Sequence, residues 1–541
     1  MQDEQFELSL SVVESPMHRR ASSKLVRIGG VMKAHSSFKL WVFTIWIGMV
    51  PFLVSGIATT AQGQNSSEEG MEVLTRGPIH EAFANVSSNL EHPDLVVPKI
   101  APDPIEELPP DQRPEGEDVA WIPGYWSWDD ERTDFIWVSG VWRNIPPGRQ
   151  WVPGYWTVIG NGGQYIPGFW EDIDQQETVY LPPPPASQES GPSSPQPSMT
   201  QVWTPGTWVW HENRYAWQPG YWVQGSPDWV WMPARYQWTP RGYIFVQGYW
   251  DYDLDRRGVM FAPVYYSSPV YARPHYYYTP VIALDIRLIA LSLFTLSNSH
   301  HYHFGDYYDA RYEHRGYHPW YSKHATAHGY DPFFIGYRSH QIGRDPEWER
   351  RLHEQYRYRR EHADARPPQT FALQMNFINT HPGASRNEMI GRRFSDVVEN
   401  KSQPVRFRPL DDNQRKNIQI RGRDVHKIQL ERKKMEIAPI IGERIQKPAD
   451  IKQPVKIQLP KSPISANHRD QNRIRPQQPP QDRTRDRQEP PQSRPQDRQE
   501  PPQARPQDQR RVVPQEQPVV KPQEIPQDRT RDRQEPPQAR P

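Results

Sequence analysis

Between Trp121 and Tyr266 one aromatic string sets the pattern of the chain. It reads WIPGYW at Trp121, WVSGVW at Trp137, WVPGYW at Trp151 and YIPGFW at Tyr165. After a gap it reads WTPGTW at Trp203, WQPGYW at Trp217, WMPARY at Trp231, FVQGYW at Phe245 and a faded FAPVYY at Phe261. Successive copies start 14 or 16 residues apart within each block. Between copies the aromatics alternate with other residues, as in Trp208-Val209-Trp210 and Tyr215-Ala216-Trp217. A period of two places them on one face of a strand. Pro-Gly suits the two central positions of a type II turn. Polar runs such as Gly160-Asn161-Gly162-Gly163 and His211-Glu212-Asn213-Arg214 return the chain. The pattern therefore predicts a mainly β fold of tandem antiparallel aromatic β-hairpins, one hairpin per copy, arranged as a meander. A single hairpin is marginal in water. Stacked hairpins share aromatic faces, and each cross-strand aromatic pair adds about 0.5–1.5 kcal/mol beyond its buried area. WMPARY and FAPVYY, which depart most from the string, read as edges or caps.

The string resembles the bacterial WxxGxW (YxWGxW) repeat family, and the resemblance covers Trp121 to about Tyr266. It implies an exported repeat protein and brings no established activity or site residues.

The flanks divide as follows. Residues 1–63 read as a signal peptide or membrane anchor: Leu40 to Ala58 is apolar and uncharged, and small residues follow it. Met32, just before a compact basic stretch, reads as the better start. Cleavage would leave a mature chain beginning near Gln62 or Gln64. The alternative is an anchor, since about 19 apolar residues can just cross a bilayer. Residues 64–120 read as an acidic, proline-rich linker, 121–170 as repeats 1–4, 171–202 as a Pro/Ser-rich linker and 203–266 as repeats 5–9. Residues 267–365 form an aromatic and His-rich extension. Within it Val281 to Leu296 reads as one or two buried strands, and a helix is predicted over 345–362, where Trp348, Leu352 and Tyr356 share a face. Residues 366–465 are basic and read as partly helical or disordered, with a helical pattern from Asp411 to Glu436. Residues 466–541 are low complexity: QDRTRDRQEPPQSRP at Gln481 returns as QDRTRDRQEPPQARP at Gln527. Such composition cannot pack a core, so a long disordered Pro/Gln/Arg-rich C-terminal tail is expected beside one or two short helices.

Composition narrows the chemistry. With no cysteine among 541 residues, disulfides, thiolate metal sites and thiol nucleophiles are excluded. A net charge of +1 hides an asymmetry. Residues 64–120 hold thirteen acidic and three basic side chains, and residues 401–460 hold fifteen basic and seven acidic ones. That imbalance points to self-association or capture of charged polymers.

No nucleophile elbow, zinc-protease helix, phosphate loop or dinucleotide fingerprint occurs, so no catalytic residue and no cofactor is expected. Three weaker signals remain. Asp251, Asp253 and Asp255 alternate as at the start of a calcium loop, but Arg256 stands where glycine is required. His300, His301, His303 and Asp306 carry donors for a transition metal, set against the ordinary reading of a His-rich aromatic loop. Trp126, Trp142, Trp156, Trp208, Trp222 and Trp250 offer flat faces on which sugar rings stack, set against plain core packing. The expectation is a non-catalytic structural or interaction protein of the bacterial cell envelope, with the repeats as scaffold. The alternative is a carbohydrate-binding module. Partners would be an envelope polysaccharide, another envelope protein or a second copy, with no specific nucleic acid, and the membrane only if residues 40–58 are retained. The expected location is periplasmic, surface or extracellular.

Overall fold

The computed structural model describes residues 70–86, 96–198, 200–226, 228–296, 301–325, 331–381, 389–402, 405–437 and 453–466. All belong to one compact unit, Ser67–Pro541. The signal or anchor reading of residues 1–63 lies outside the described residues, as do His300 and, except for Ala466, the tail expected over 466–541.

The fold is mainly antiparallel β, with hairpins as the recurring element. The hairpin, however, contains two motif copies rather than one. In the first, Val119–Ile122 pairs with Val141–Asn144 and Tyr125–Asp129 pairs with Asp134–Val138, which sets Trp121 opposite Trp142 and Trp126 opposite Trp137. The second joins Arg149–Val152 to Phe169–Asp172 and Tyr155–Ile159 to Gly162–Ile166, so Trp151 faces Trp170 and Trp156 faces Tyr165. In the third, Gln201–Thr204 pairs with Tyr221–Gln224 and Thr207–His211 with Arg214–Gln218, opposing Trp203 to Trp222 and Trp208 to Trp217. The fourth sets Trp231 opposite Trp250 and Tyr236 opposite Phe245. The polar runs reverse the chain at the tips: Gly160 (φ 58°) in the second hairpin, and Glu212 and Asn213 (φ 48° and 62°) in the third.

Two sequence expectations are corrected here. The motif glycines Gly124, Gly140, Gly154, Gly168, Gly206, Gly220 and Gly248 all lack a positive φ, so Pro-Gly is not a type II reversal. It is a break where each long hairpin passes from its base ladder to its tip ladder. Nor do the hairpins form a meander. Among the described residues no strand of one hairpin pairs with another hairpin. Outside strands pin them instead. Val264–Tyr266 and Met71–Val73 extend the first tip, and Val96–Val97 the second. Thr178–Leu181 and Val455–Ile457 extend the fourth.

The first expected linker is packed over part of its length, whereas most of residues 185–198 in the second are exposed. Every residue from Val73 to Val86 is buried, including Arg76, His80 and Glu81. This stretch joins the largest core cluster with Trp151, Trp170, Val230 and Met232 of the hairpins and with the aromatic extension. In Val281–Leu296 the interior is a short helix, Ile286–Ala290, between strands Ile282–Leu284 and Leu293–Leu296. Asp285 caps it by accepting from the Arg287 and Leu288 amides.

Further helices follow. Pro332–Arg344 starts with proline at its first turn and Asp331 as cap, a start the pattern did not predict. The helix predicted over 345–362 runs Trp348–Glu361 and buries Trp348, Leu352 and Tyr356. Residues 366–437 are ordered where described. Phe371–Thr380 is capped by Thr370. Asp412–Ile437 begins with a reciprocal box in which Asp411 accepts from the Gln414 amide and Gln414 from the Asp411 amide.

Candidate functional site

Each double-motif hairpin is built around its motif glycines, two in each of the first three and Gly248 alone in the fourth. The first tryptophan of one motif lies on the glycine of the other. A Cβ at Gly140 would meet Trp121 Cζ2 at 2.5 Å, one at Gly168 would meet Trp151 Cζ2 at 2.5 Å, and one at Gly248 would meet Trp231 Cζ2 at 2.5 Å. In the third hairpin the relation is reciprocal: Trp217 covers Gly206 and Trp203 covers Gly220. The opposed tryptophans meet edge-on or tilted, with ring centres 5.1–5.3 Å apart. Tryptophan and glycine are thus one packing unit shared between two copies.

The Pro-Gly breaks leave amides without ladder partners, and a glutamate from outside the hairpin takes them. In the first hairpin Glu107 accepts from Gly124 N at 3.0 Å, Gly140 N at 3.0 Å and Trp137 Nε1 at 2.7 Å. In the second, Glu81 accepts from Gly168 N at 2.9 Å and Tyr165 Oη at 2.8 Å. In the third, Glu189 accepts from Gly206 N at 2.5 Å and Trp203 Nε1 at 3.0 Å. Burial pushes the Glu107 and Glu81 carboxyls up to about 7, against the pull of these donors. Cations serve the other side of the second break. Arg432 donates to the Pro153 and Pro167 carbonyls at 2.9 and 3.0 Å while paired with Glu436 at 2.9 Å. Sequence reasoning missed all three glutamates and took Arg432 only as one of the basic side chains of residues 401–460.

The six candidate tryptophans divide. Trp126, Trp142 and Trp250 are buried, Trp142 at 1% exposure. Trp156, Trp208 and Trp222 are half-buried, but each indole N–H donates within the chain: to Trp126 O at 2.8 Å, Ala186 O at 2.9 Å and Ser194 Oγ at 3.0 Å. They do not form an exposed row in register.

Four predicted residues meet at one place. Trp126, Trp156, His301 and His303 line a cavity of about 40 Å³ with Tyr125, Tyr165 and Tyr317. That is room for a few waters. Burial holds His301 down at about 4 and His303 at about 3, so both rings are neutral. His303 meets the edges of Tyr307 and Tyr317, and Asp306 accepts instead from Gln369 Nε2 at 3.1 Å. Among the described residues no three of His, Cys, Asp or Glu converge as metal ligands. The three alternating aspartates also diverge. Asp251 takes Arg143 through both oxygens and lies 3.2 Å from Arg257. Asp253 lies 3.5 Å from His340 Nδ1, and Asp255 3.8 Å from Arg344.

The basic helix is turned toward its own chain. Arg423 pairs with Glu106 at 2.9 Å, and Arg415 donates to the Pro109 carbonyl at 2.9 Å. Among the described residues no helix is long and apolar enough to cross a membrane.

No curated protein and no solved structure matches the chain. A family model does. The WXXGXW repeat model, which spans two copies, matches residues 118–143, 201–223, 227–251 and 241–255. Its first three matches coincide with the first, third and fourth hairpins, so the two-copy unit of the family is the long hairpin seen here. The second hairpin lies outside these matches and joins them by its copies WVPGYW and YIPGFW and by its geometry. Within residues 118–255 the chain thus carries repeats that match the WXXGXW model.

Proposed function

We propose that this chain is a non-catalytic structural or interaction protein of the bacterial cell envelope, with the four double-motif hairpins as a rigid scaffold. The observation that carries the reading is the inward use of the motif: its tryptophans pack on the chain's own glycines, and its free amides hold the chain's own glutamates. A site kept for an outside small molecule would leave those groups open. Export by residues 1–63 and a partner among envelope proteins or polysaccharides complete the reading. Self-association through opposite charges draws less support, since Arg423 and Glu106 meet within one chain.

A carbohydrate-binding reading is favoured by one feature. The third hairpin leaves Trp208, Trp210, Trp217, Tyr221 and Trp222 half-buried, so sugar stacking would belong there. The test is fractionation of the native host with crosslinking, alongside sedimentation of the protein with cell-wall polysaccharide. Recovery in the envelope crosslinked to protein supports the scaffold. Co-sedimentation lost on Trp208→Ala and Trp222→Ala supports the sugar reading. A cytoplasmic protein overturns both.

A further inference from the structure

The first and third hairpins hold an outside segment in the same way, and both segments are proline-rich. On the first lies APDPIEELPP, Ala101 to Pro110; on the third lies PPPPASQESGP, Pro182 to Pro192. In each, a glutamate seats on a motif glycine amide and a first-position indole: Glu107 on Gly124 N, Gly140 N and Trp137, Glu189 on Gly206 N and Trp203. In each, a last-position tryptophan of the first motif takes a backbone carbonyl shortly before that glutamate. Trp126 Nε1 donates to Asp103 O at 2.9 Å and Trp208 Nε1 to Ala186 O at 2.9 Å. Two further donors hold the third segment, Tyr215 Oη to Pro182 O at 2.5 Å and Trp222 Nε1 to Ser194 Oγ at 3.0 Å. Extended proline-rich chains are read elsewhere by this chemistry, aromatic walls with N–H and O–H groups aimed at carbonyls that the extended helix leaves unpaired.

The two instances differ in depth. Glu107 is 5% exposed, and Ile105, Pro109 and Pro110 of its segment are buried with it. Glu189 is only half-buried, and residues 185–188 of its segment are exposed. The first is a fixed part of the fold, whereas the second is a strap laid on a surface.

We propose that the third hairpin is a receptor for extended proline-rich peptides carrying one glutamate, that Pro182–Ser198 fills it as an internal strap, and that the Glu-Pro-Pro blocks of the C-terminal tail exchange with that strap. The tail carries Gln-Glu-Pro-Pro-Gln three times, at Glu489, Glu500 and Glu535. A residue before proline favours extended backbone. The described chain ends at Ala466, which leaves 75 residues (467–541) to reach the site. An extended proline-rich chain advances about 3.1 Å per residue, so reach is no obstacle. This inference rests on the reading of the chain as an interaction protein and names the ligand class.

The test is fluorescence anisotropy with a labelled peptide, Arg487 to Pro495 (RQEPPQSRP). The binding partner is the full chain with Glu489, Glu500 and Glu535 changed to Gln, so that its own tail does not compete. Saturable binding is expected, and Glu189→Gln, which loosens the strap, should tighten it about tenfold. Loss of the charge-assisted bonds weakens it by a similar factor, about tenfold or more, when the peptide carries Glu489→Gln or when the Glu189→Gln chain also carries Trp203→Phe. Far-UV circular dichroism checks that the Trp203→Phe chain is folded. No saturable binding to the Glu189→Gln chain, or binding indifferent to the peptide glutamate or to Trp203, overturns the proposal. Dimers of the tail-substituted chain that Glu189→Gln disperses in sedimentation velocity would assign the site to a second copy's strap and overturn the tail. None of these failures touches the scaffold reading, which rests on location and crosslinking.

Discussion

The indole of Trp121 lies across Gly140, one motif copy further along the chain, so close that a methyl group on that glycine would sit 2.5 Å from Cζ2 and 2.8 Å from the Ile122 carbonyl oxygen. This explains why the motif needs glycine although its backbone does not use glycine's freedom in φ. Gly140→Ala is expected to cost about 3 kcal/mol, since neither a buried indole nor a ladder carbonyl can move aside cheaply. Gly160→Ala, at a tip with φ 58° and open space around it, should cost only about 1 kcal/mol. Urea midpoints of the two variants check the order, and a reversed order would remove the packing account.

Glu107 is expected to hold the first hairpin together through its acceptors. Glu107→Ala leaves the Gly124 and Gly140 amides and the Trp137 indole buried without an acceptor, a loss of about 3 kcal/mol or more. Glu107→Gln, which keeps one carbonyl oxygen, should lose less. Thermal unfolding at pH 5, where the native carboxyl is protonated, compares them. Equal losses would mean that hydrogen bonding is not what the residue supplies.

Acid should weaken the fold through its buried imidazoles. Burial depresses His80 and His303 to about 3 and His301 to about 4, below the ordinary 6.5. Between those values and 6.5 the unfolded chain binds more protons, so this contribution is present above pH 6.5 and falls as pH falls. Glu81 and Glu107, raised to about 7 by burial, work the other way, and their contribution declines as pH rises from about 4.5 to 7. His303→Phe keeps an aromatic ring against Tyr307 and Tyr317 and removes one proton uptake. Its stability relative to the parent is expected to improve as pH drops from 6.5 to 4. A parallel pH profile for the two proteins would count against the buried-imidazole account.

The candidate tryptophans should separate by stability. Trp142→Ala empties a fully buried site and is expected to cost about 3–5 kcal/mol. Trp222→Ala, half-buried beneath the strap, should cost roughly 1–2 kcal/mol, mainly its packing and one hydrogen bond. Chemical denaturation of both variants decides, and similar losses would mean that the third hairpin is as much core as the first.

How far the sequence reaches is clearest at Glu106 and Glu107. The motif spacing made the aromatic hairpins legible, and the i, i+4, i+8 face of Trp348, Leu352 and Tyr356 made their helix legible. Nothing local distinguishes two adjacent glutamates in an acidic, proline-rich stretch. One of them pairs with Arg423 at the surface and the other enters the first hairpin. Their difference is set by residues more than fifteen positions away. Val73 to Val86 was read as linker for the same reason: its charged residues Arg76 and Glu81 look solvated until Tyr312 and Tyr165 come to meet them. The pairing of motifs two by two was present in the alternation of tip and base turns. Pro-Gly concealed it, because it is a stronger turn signal than the polar runs that do reverse the chain.

Ladder partners of the buried N-terminal segment, and of strands in and beside the second hairpin, are made late. Pro78 pairs with His303, Leu74 bridges Thr370, Val179 pairs with Lys456 and Gln150 bridges Ser465. At ordinary rates of synthesis, Pro78 waits roughly 10–45 seconds for His303 to be translated. During that wait the finished hairpins expose the aromatic surfaces that this segment covers in the end. The protein therefore does not assemble copy by copy as an open repeat array does. Its last ladders can close only once nearly the whole described chain exists.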